Sequence, residues 1–191
     1  MSRVLLLVLL LGGAKERKAA DYLVTSPGAT WKYDGPLGPA EVVKVVGKAP
    51  DGAVQVAASD QNGGSTMLLW RLNAGAWTEE MSARGKQPVV ILPARLVIGA
   101  SWSWTYTDLM GTTGTHTFHV KSLSDSVVLK NGKKESDCLR IDEFRPDLGP
   151  SMPVVHWFAR GKGEVASKVG ESWYRSLTEF SKGSLSTHPT R

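Results

Sequence analysis

The segment "SWSWTYT" (Ser101–Thr107) constrains the fold of this chain more than any other stretch. Trp102, Trp104 and Tyr106 alternate with serine and threonine, so an extended strand carries aromatic rings on one face and hydroxyls on the other. This period of two predicts a β-strand with one buried face.

The rest of the chain repeats that type of segment between turn signals. Twenty glycines and ten prolines are spread throughout, and valine, threonine, tryptophan and tyrosine fill the short stretches between them. Residues 50–52 (Pro-Asp-Gly) and 62–64 (Asn-Gly-Gly) predict turns, and Asn131-Gly132 is the pair that a type I′ hairpin turn prefers. No long amphipathic helix is evident; a short helix near residues 15–22 is the single candidate. The pattern is typical of an antiparallel, all-β domain.

Two parts of the sequence occur twice. "GATWKY" (28–33) returns as "GASWSW" (99–104), and "LLWRLNAGAWTEE" (68–80) resembles "VHWFARGKGEVAS" (155–167). We therefore predict a single β domain over 25–182, built from two related meanders (25–90 and 91–182) that pack or close together. The alternative, chance similarity between tryptophan-rich strands, stays open. Residues 183–191 are predicted to be a polar tail.

The first fourteen residues have the layout of a secretory signal peptide. Arg3 precedes an apolar run over 4–11, and the small residues Gly12 and Ala14 suit cleavage after Ala14. The run is shorter than the roughly 20 apolar residues that a membrane-spanning helix needs. We expect export to the periplasm or outer membrane of a bacterium, with 15–24 as a basic, solvated tether. The alternative is a buried N-terminal strand or helix.

The same residues resemble a bacterial lipoprotein signal, in which a tripeptide such as Leu11-Gly12-Gly13 precedes an acylated cysteine. Position 14 is Ala14 here, so this chain cannot be acylated there. Either the protein is not a lipoprotein or its cysteine has been replaced. Membrane association is expected through the leader, or through a lipid anchor if position 14 is natively cysteine.

A wider set of motifs resembles a loose class of exported bacterial β proteins, many with lipoprotein-type leaders. The motifs are "GATWKY", "LPARLVIGASW" and "WFARGKGEV". The resemblance implies a curved antiparallel sheet or half-open barrel, broadly similar to periplasmic lipoprotein-carrier domains. It implies no agreed activity.

Charge and histidine spacing argue against several functions. The net charge of +5 is scattered rather than gathered in a stripe, so no nucleic-acid surface is predicted. The lone Cys138 excludes an intrachain disulfide. His116 and His119 lie three apart and face opposite ways on a strand, so no metal site is predicted, and no cofactor is expected. A weak hydrolase hypothesis pairs Asp108 with His116 or His119; His156 is interpreted as a packing residue.

The seven tryptophans are the remaining lead to function. Most are expected in the core, Trp102 and Trp104 among them, whereas Trp77 and Trp173, near hairpins, are predicted to be exposed and to bind a ligand. We therefore expect a non-enzymatic exported envelope protein that binds a lipid, a small apolar ligand or a protein partner. The alternative is a structural or accessory subunit of an envelope-associated complex.

Overall fold

A computed structural model describes residues 15–35, 41–60, 62–81, 88–107, 111–149 and 151–183. Regular structure in these ranges is almost entirely β-strand, as predicted. The strands are β1 (Arg17–Lys18), β2 (Thr30–Asp34), β3 (Glu41–Lys48), β4 (Val54–Asp60), β5 (Ser65–Asn73), β6 (Ala76–Met81), β7 (Val89–Leu92), β8 (Arg95–Leu96), β9 (Ser101–Thr107), β10 (Thr113–Val128), β11 (Lys134–Phe144), β12 (Val154–Ala159), β13 (Gly163–Val169) and β14 (Ser172–Ser181). One 3-10 helix spans Ala19–Asp21. None of the described helical residues forms a span that is long and apolar enough to cross a membrane.

Twelve strands form one antiparallel sheet that curves almost into a closed barrel. The order is β7-β6-β5-β4-β3-β2-β14-β13-β12-β11-β10-β9, so the meanders β2–β7 and β9–β14 join where β2 pairs with β14. Strands β7 and β9 are the two edges. Between these two edges, the indole N–H of Trp102 on β9 donates to the carbonyl of Val90 on β7 at 3.0 Å. The predicted curved sheet of two related meanders is confirmed.

The two meanders begin with the same local geometry. Gly28 and Ala29 exchange backbone hydrogen bonds with Val45, and Gly99 and Ala100 do the same with Val120. Both glycines have positive φ, 81° and 86°, which a residue with a Cβ rarely adopts. The repeated motifs therefore occupy corresponding positions, at the entry to the first strand of each meander.

The hairpin turns lie where the sequence predicts them, but the turn at Asn131-Gly132 is not of the predicted type I′. In the turn over 129–133, Gly132 N–H donates to Leu129 O, and Leu129 N–H donates to Lys133 O. A type I′ turn needs positive φ at both Asn131 and Gly132, yet of the two only Gly132 has it, at 83°. The type I′ prediction is wrong; a type I turn followed by a left-handed glycine connects these strands.

One end of the barrel, called the closed end below, is filled by the N-terminal segment over 15–24. We call this segment the plug. Ala19, Tyr22 and Leu96 are fully buried, and Tyr22 packs edge-on against Phe158. Arg17 is only 2% exposed and donates hydrogen bonds to the Tyr22 hydroxyl and to the Asp137 carbonyl. The sequence prediction of a solvated tether over 15–24 is therefore wrong for these residues: the segment forms β1 and part of the core.

Tryptophan burial follows contacts rather than closeness to a hairpin. Trp77 is 4% exposed and packs edge-on against both Trp70 and Phe158, so the predicted exposure of Trp77 is wrong. Trp104 faces the interior as predicted but remains partly exposed at the opposite end. The plug supplies the cover over Trp77.

We predict that Trp77→Ala lowers the free energy of unfolding by about 3–5 kcal/mol, because truncating a buried aromatic residue leaves a cavity. Trp104→Ala should lower it by clearly less, since part of that ring already contacts water. Urea unfolding followed by far-ultraviolet circular dichroism measures both. An equal or larger loss for Trp104→Ala would contradict this distribution of the core.

Candidate functional site

A chain of charged side chains lines the interior wall near the end of the barrel opposite the plug, called the open end below. We name it the interior network. It is formed by residues on β10, β11, β12, β13, β14 and β3, in that order around the wall: His116, Glu143, His156, Glu164, Arg175 and Glu41. All six project inward because the alternation of each strand places them on the concave face.

Glu143 is shared between two histidines. Its Oε1 lies 2.5 Å from Nδ1 of His116, and its Oε2 lies 2.9 Å from Nε2 of His156. The other ring nitrogen of His156, Nδ1, lies 2.6 Å from Oε1 of Glu164. Because both nitrogens of His156 face carboxylates, which only accept, this geometry requires a proton on each.

Arg175 continues the network from Glu164 to the other meander. Its Nη1 donates to Oε2 of Glu164 at 2.9 Å, and its Nη2 donates to Glu41. The guanidinium also lies 4.8 Å above the ring of Tyr33, whose hydroxyl donates to the Glu164 carbonyl at 2.8 Å. The pair of Arg175 and Glu41 links β14 to β3 across the intervening β2.

The environment fixes the charge of His156. Burial alone would lower its pKa, but the hydrogen bonds with Glu143 and Glu164 outweigh burial and raise the pKa to about 9. For Glu143, burial opposes ionisation, and the bonds from His116 and His156 overcome it, so its pKa lies well below the ordinary value. His156 is therefore an imidazolium held between two carboxylates at neutral pH.

Glu164 and Arg175 stabilise each other's charge in the same manner. Burial opposes ionisation of Glu164, but the nearby Arg175 and His156 lower the pKa of its carboxyl. Burial likewise opposes the charge of Arg175, and Glu164 and Glu41 raise its pKa above the usual range. The part of the network from Glu143 through His156 and Glu164 to Arg175 is thus charged, as buried ion pairs must be if they are to offset desolvation.

Aromatic side chains form the wall beside the network. Trp104 and Tyr106 on β9 both contact the ring of His116 edge-on, with centroids 5.2 Å and 5.1 Å away. The ring of Tyr106 lies directly over Gly114, where a Cβ would come within 2.7 Å of it. Glycine at 114 is therefore what allows Tyr106 to fold against His116.

A small cavity separates the network from the plug. Its volume is about 40 Å³, room for about one to three water molecules. Trp77, Glu164 and Arg175 are among its lining residues. Within the described residues, the buried indole N–H of Trp77 and the buried hydroxyl of Ser167, which lies opposite His156 and Arg175 in the sheet, have no hydrogen-bond partner.

Some of the sequence predictions about individual residues are confirmed, one is wrong, and others stay predictions. The opposite facing of His116 and His119 is confirmed, and Gly161 lies in the hairpin turn between β12 and β13. The interpretation of His156 as a packing residue is wrong, because it is the centre of the interior network. Trp173 is partly exposed, with the Lys168 ammonium 4.2 Å above its ring. Its predicted role in binding, and that of Trp77, stay predictions.

Several other predicted residues lie outside the described ranges: Gly12, Ala14 and Asp108. The pairing of Asp108 with a histidine thus stays a hypothesis. His156 is also unsuited to act as a general base, because both of its ring nitrogens are already protonated and hydrogen-bonded. Among the described residues, no group of three or more histidine, cysteine, aspartate or glutamate side chains is arranged to hold a metal ion.

Sequence reasoning missed the network because its partners are far apart in the chain. The histidine–glutamate pair of β10 and β11 is separated by 27 residues, and the arginine–glutamate pair by 134. The available signal was inward-facing charge: the strands of Glu143 and Glu164 place these carboxylates on the same face as apolar neighbours. The sequence matches no family model, and comparisons with curated proteins and with solved structures gave no match either.

We predict that the free energy of unfolding falls by about 3 kcal/mol between pH 6.5 and pH 9, since the pKa of His156 is 6.5 when unfolded and about 9 when folded. A group with a raised pKa stabilises fully below the unfolded value and no longer does so above the folded one. Glu143 and Glu164, with lowered pKa values, act oppositely: their stabilisation is complete above about pH 4.5 and is lost as the pH falls through their folded pKa values.

Urea unfolding across pH 6–9 tests this. His156→Gln should be less stable at neutral pH and should lose most of the slope, whereas His119→Gln, on the outer face of β10, should keep it. Measurements stop at pH 9 because burial raises the pKa of the Cys138 thiol to about 11, which adds a slope of its own at higher pH. An unchanged slope in His156→Gln would show that another group is responsible.

Proposed function

We propose that this protein is a non-enzymatic binding protein of the bacterial envelope whose ligand site is the open end of the barrel. The observation that carries the proposal is the contrast between the two ends. The closed end is filled by the plug and core aromatics, whereas the open end presents partly exposed aromatic rings beside fixed charges. Such a mixture of apolar wall and a few placed polar groups is typical of ligand sites.

The geometry favours a ligand with a flat apolar part and a polar group. Trp104 and Tyr106 offer ring surface, and the Arg175 side chain, 29% exposed, offers hydrogen-bond donors within the same wall. The cavity between the network and the plug has room for only about one to three waters, so that cavity is too small for a long acyl chain. The partly exposed rings of Trp104 and Tyr106 instead favour a ligand that rests above the interior network.

Rigidity supports binding at this place. Each side chain of the network bonds to at least one partner on another strand, and the strands themselves are paired. Side chains that are ordered before binding lose little conformational entropy when a ligand arrives. Export, the other part of the proposal, is supported by the leader-like sequence over 1–14.

A second candidate function is an accessory subunit of an envelope complex. The two sheet edges, β7 and β9, support it. Within the described residues, β9 carries no charge and no proline, the features that usually protect an edge strand from pairing with another chain. A partner strand at this edge would extend the sheet by backbone hydrogen bonds.

Native mass spectrometry of the protein purified from its own envelope tests the ligand proposal. We predict a retained small molecule, and Trp104→Ala should weaken its binding about 10-fold, as expected for the loss of one aromatic contact. Trp173→Ala is the matched control. If Trp173→Ala abolishes retention of the small molecule and Trp104→Ala does not, the site is not at the open end. If the retained species is a protein chain, the accessory-subunit function is favoured.

A further inference from the structure

The closed end carries an excess of exposed positive charge. Five cations surround it and form no ion pair with a described residue: Lys15, Lys18, Lys48, Arg160 and Lys182. They come from the plug, from the end of β3, from the turn between β12 and β13, and from the chain just after β14. These positions are far apart in sequence and meet at one end of the barrel.

The acidic residues nearby do not cancel this charge. Three are already paired with arginines other than the five cations: Asp137 with Arg17, Glu16 with Arg95 at 2.7 Å, and Asp51 with Arg71 at 2.8 Å. Asp21 is the remaining carboxylate in the plug, and it accepts a bond from the Lys18 backbone N–H at 3.4 Å. The five cations therefore exceed the unpaired acids by about four charges.

A large apolar side chain projects from the same end. Ile98, in the loop between β8 and β9, is 67% exposed. Of the exposed large hydrophobic side chains in the described residues it is the most accessible, and Arg95 lies three residues before it. An exposed apolar side chain at a basic end of a protein is a combination that can insert among anionic lipid headgroups.

We infer that the closed end is a docking surface for an anionic lipid bilayer, with Ile98 inserted at the headgroup level and the five cations against the phosphates. The plug enters the fold at this end, so a leader or anchor preceding Lys15 would hold the same end to the membrane. The open end, where Asp147 and Glu171 are exposed, then faces away from the bilayer. The inference rests on the proposed function only for the identity of the membrane.

The strength of the contact follows from the number of cations. Each lysine or arginine near an anionic surface strengthens binding by about 1 kcal/mol, which is about 5-fold in affinity. The attraction extends over about one Debye length, roughly 8 Å at physiological salt. Cations on the barrel wall, such as Lys44, four residues before Lys48 on β3, lie about 13 Å farther from the surface and should contribute little.

The experiment uses the chain from Lys15 onward, which contains every strand and core contact described above. Sedimentation with vesicles of phosphatidylcholine containing one part in three of phosphatidylglycerol measures affinity. Lys48→Gln with Lys182→Gln should weaken binding about 25-fold. The control pair Lys44→Gln with Lys168→Gln changes the net charge equally and should have little effect, about 2-fold at most.

Orientation is tested with a single environment-sensitive dye. Cys138 is buried with a raised pKa and should not react, so Ile98→Cys and Glu171→Cys each provide one labelled position. The dye at 98 should shift to the blue with anionic vesicles and the dye at 171 should not. The blue shift at 98 should vanish with pure phosphatidylcholine and at about 1 M salt, where the Debye length is about 3 Å.

Equal weakening by the two lysine pairs, a blue shift at 171, or no binding to anionic vesicles would each overturn the inference. Competition by soluble glycerol phosphate at low concentration would also overturn it, by indicating a site for a free phosphate rather than a surface. None of these results bears on the ligand retained at the open end, so the two proposals fail separately.

Discussion

The arrangement of this protein depends on an imidazolium held between two carboxylates inside a β-sheet. His156 bonds to Glu143 on one side and to Glu164 on the other, and Arg175 extends the line to Glu41 on the other meander. Taking such charges out of water is costly, so each must keep its partner. Removing His156 would take one of two partners from both Glu143 and Glu164, so a change at one position alters the charge balance of its neighbours.

The network also separates two regions of the interior that differ in packing and in exposure to solvent. On one side of it lie the plug and the aromatic core, where Trp70 packs edge-on against both Trp31 and Trp77. On the other side lie the partly exposed rings of Trp104 and Tyr106. Stability is therefore concentrated at the closed end, and we propose that the side chains held by the strands at the open end contact a ligand. The charge asymmetry extends this division to the outer surface, where we propose that the basic end is directed to a membrane.

Local sequence patterns predicted the local structure well. The alternation over "SWSWTYT" became β9 with its rings inward, and the turn signals at Gly52 and Gly132 became hairpins. The two meanders followed from the repeated motifs, because Gly28 and Gly99 need the same left-handed backbone at the same place.

What the sequence did not reveal are properties of pairs that are distant in the chain. Nothing near His156 in sequence indicates that Glu143 and Glu164 face it, since strand pairing decides that contact. Trp77 was misjudged for a related reason: a position beside a hairpin is exposed only if no other segment covers it, and here the N-terminal plug does. Local pattern reports which face of a strand a residue occupies, but not what lies across from that face.

The most direct test of this account is the titration of the His156 ring, followed by imidazole nitrogen NMR in the folded protein. The account predicts that both ring nitrogens carry protons at pH 7 and that the midpoint lies near pH 9. The midpoint should fall towards the ordinary value in Glu164→Gln, which removes one of the two carboxylates. A wild-type midpoint at or below 6.5, or a single neutral tautomer at pH 7, would contradict the account.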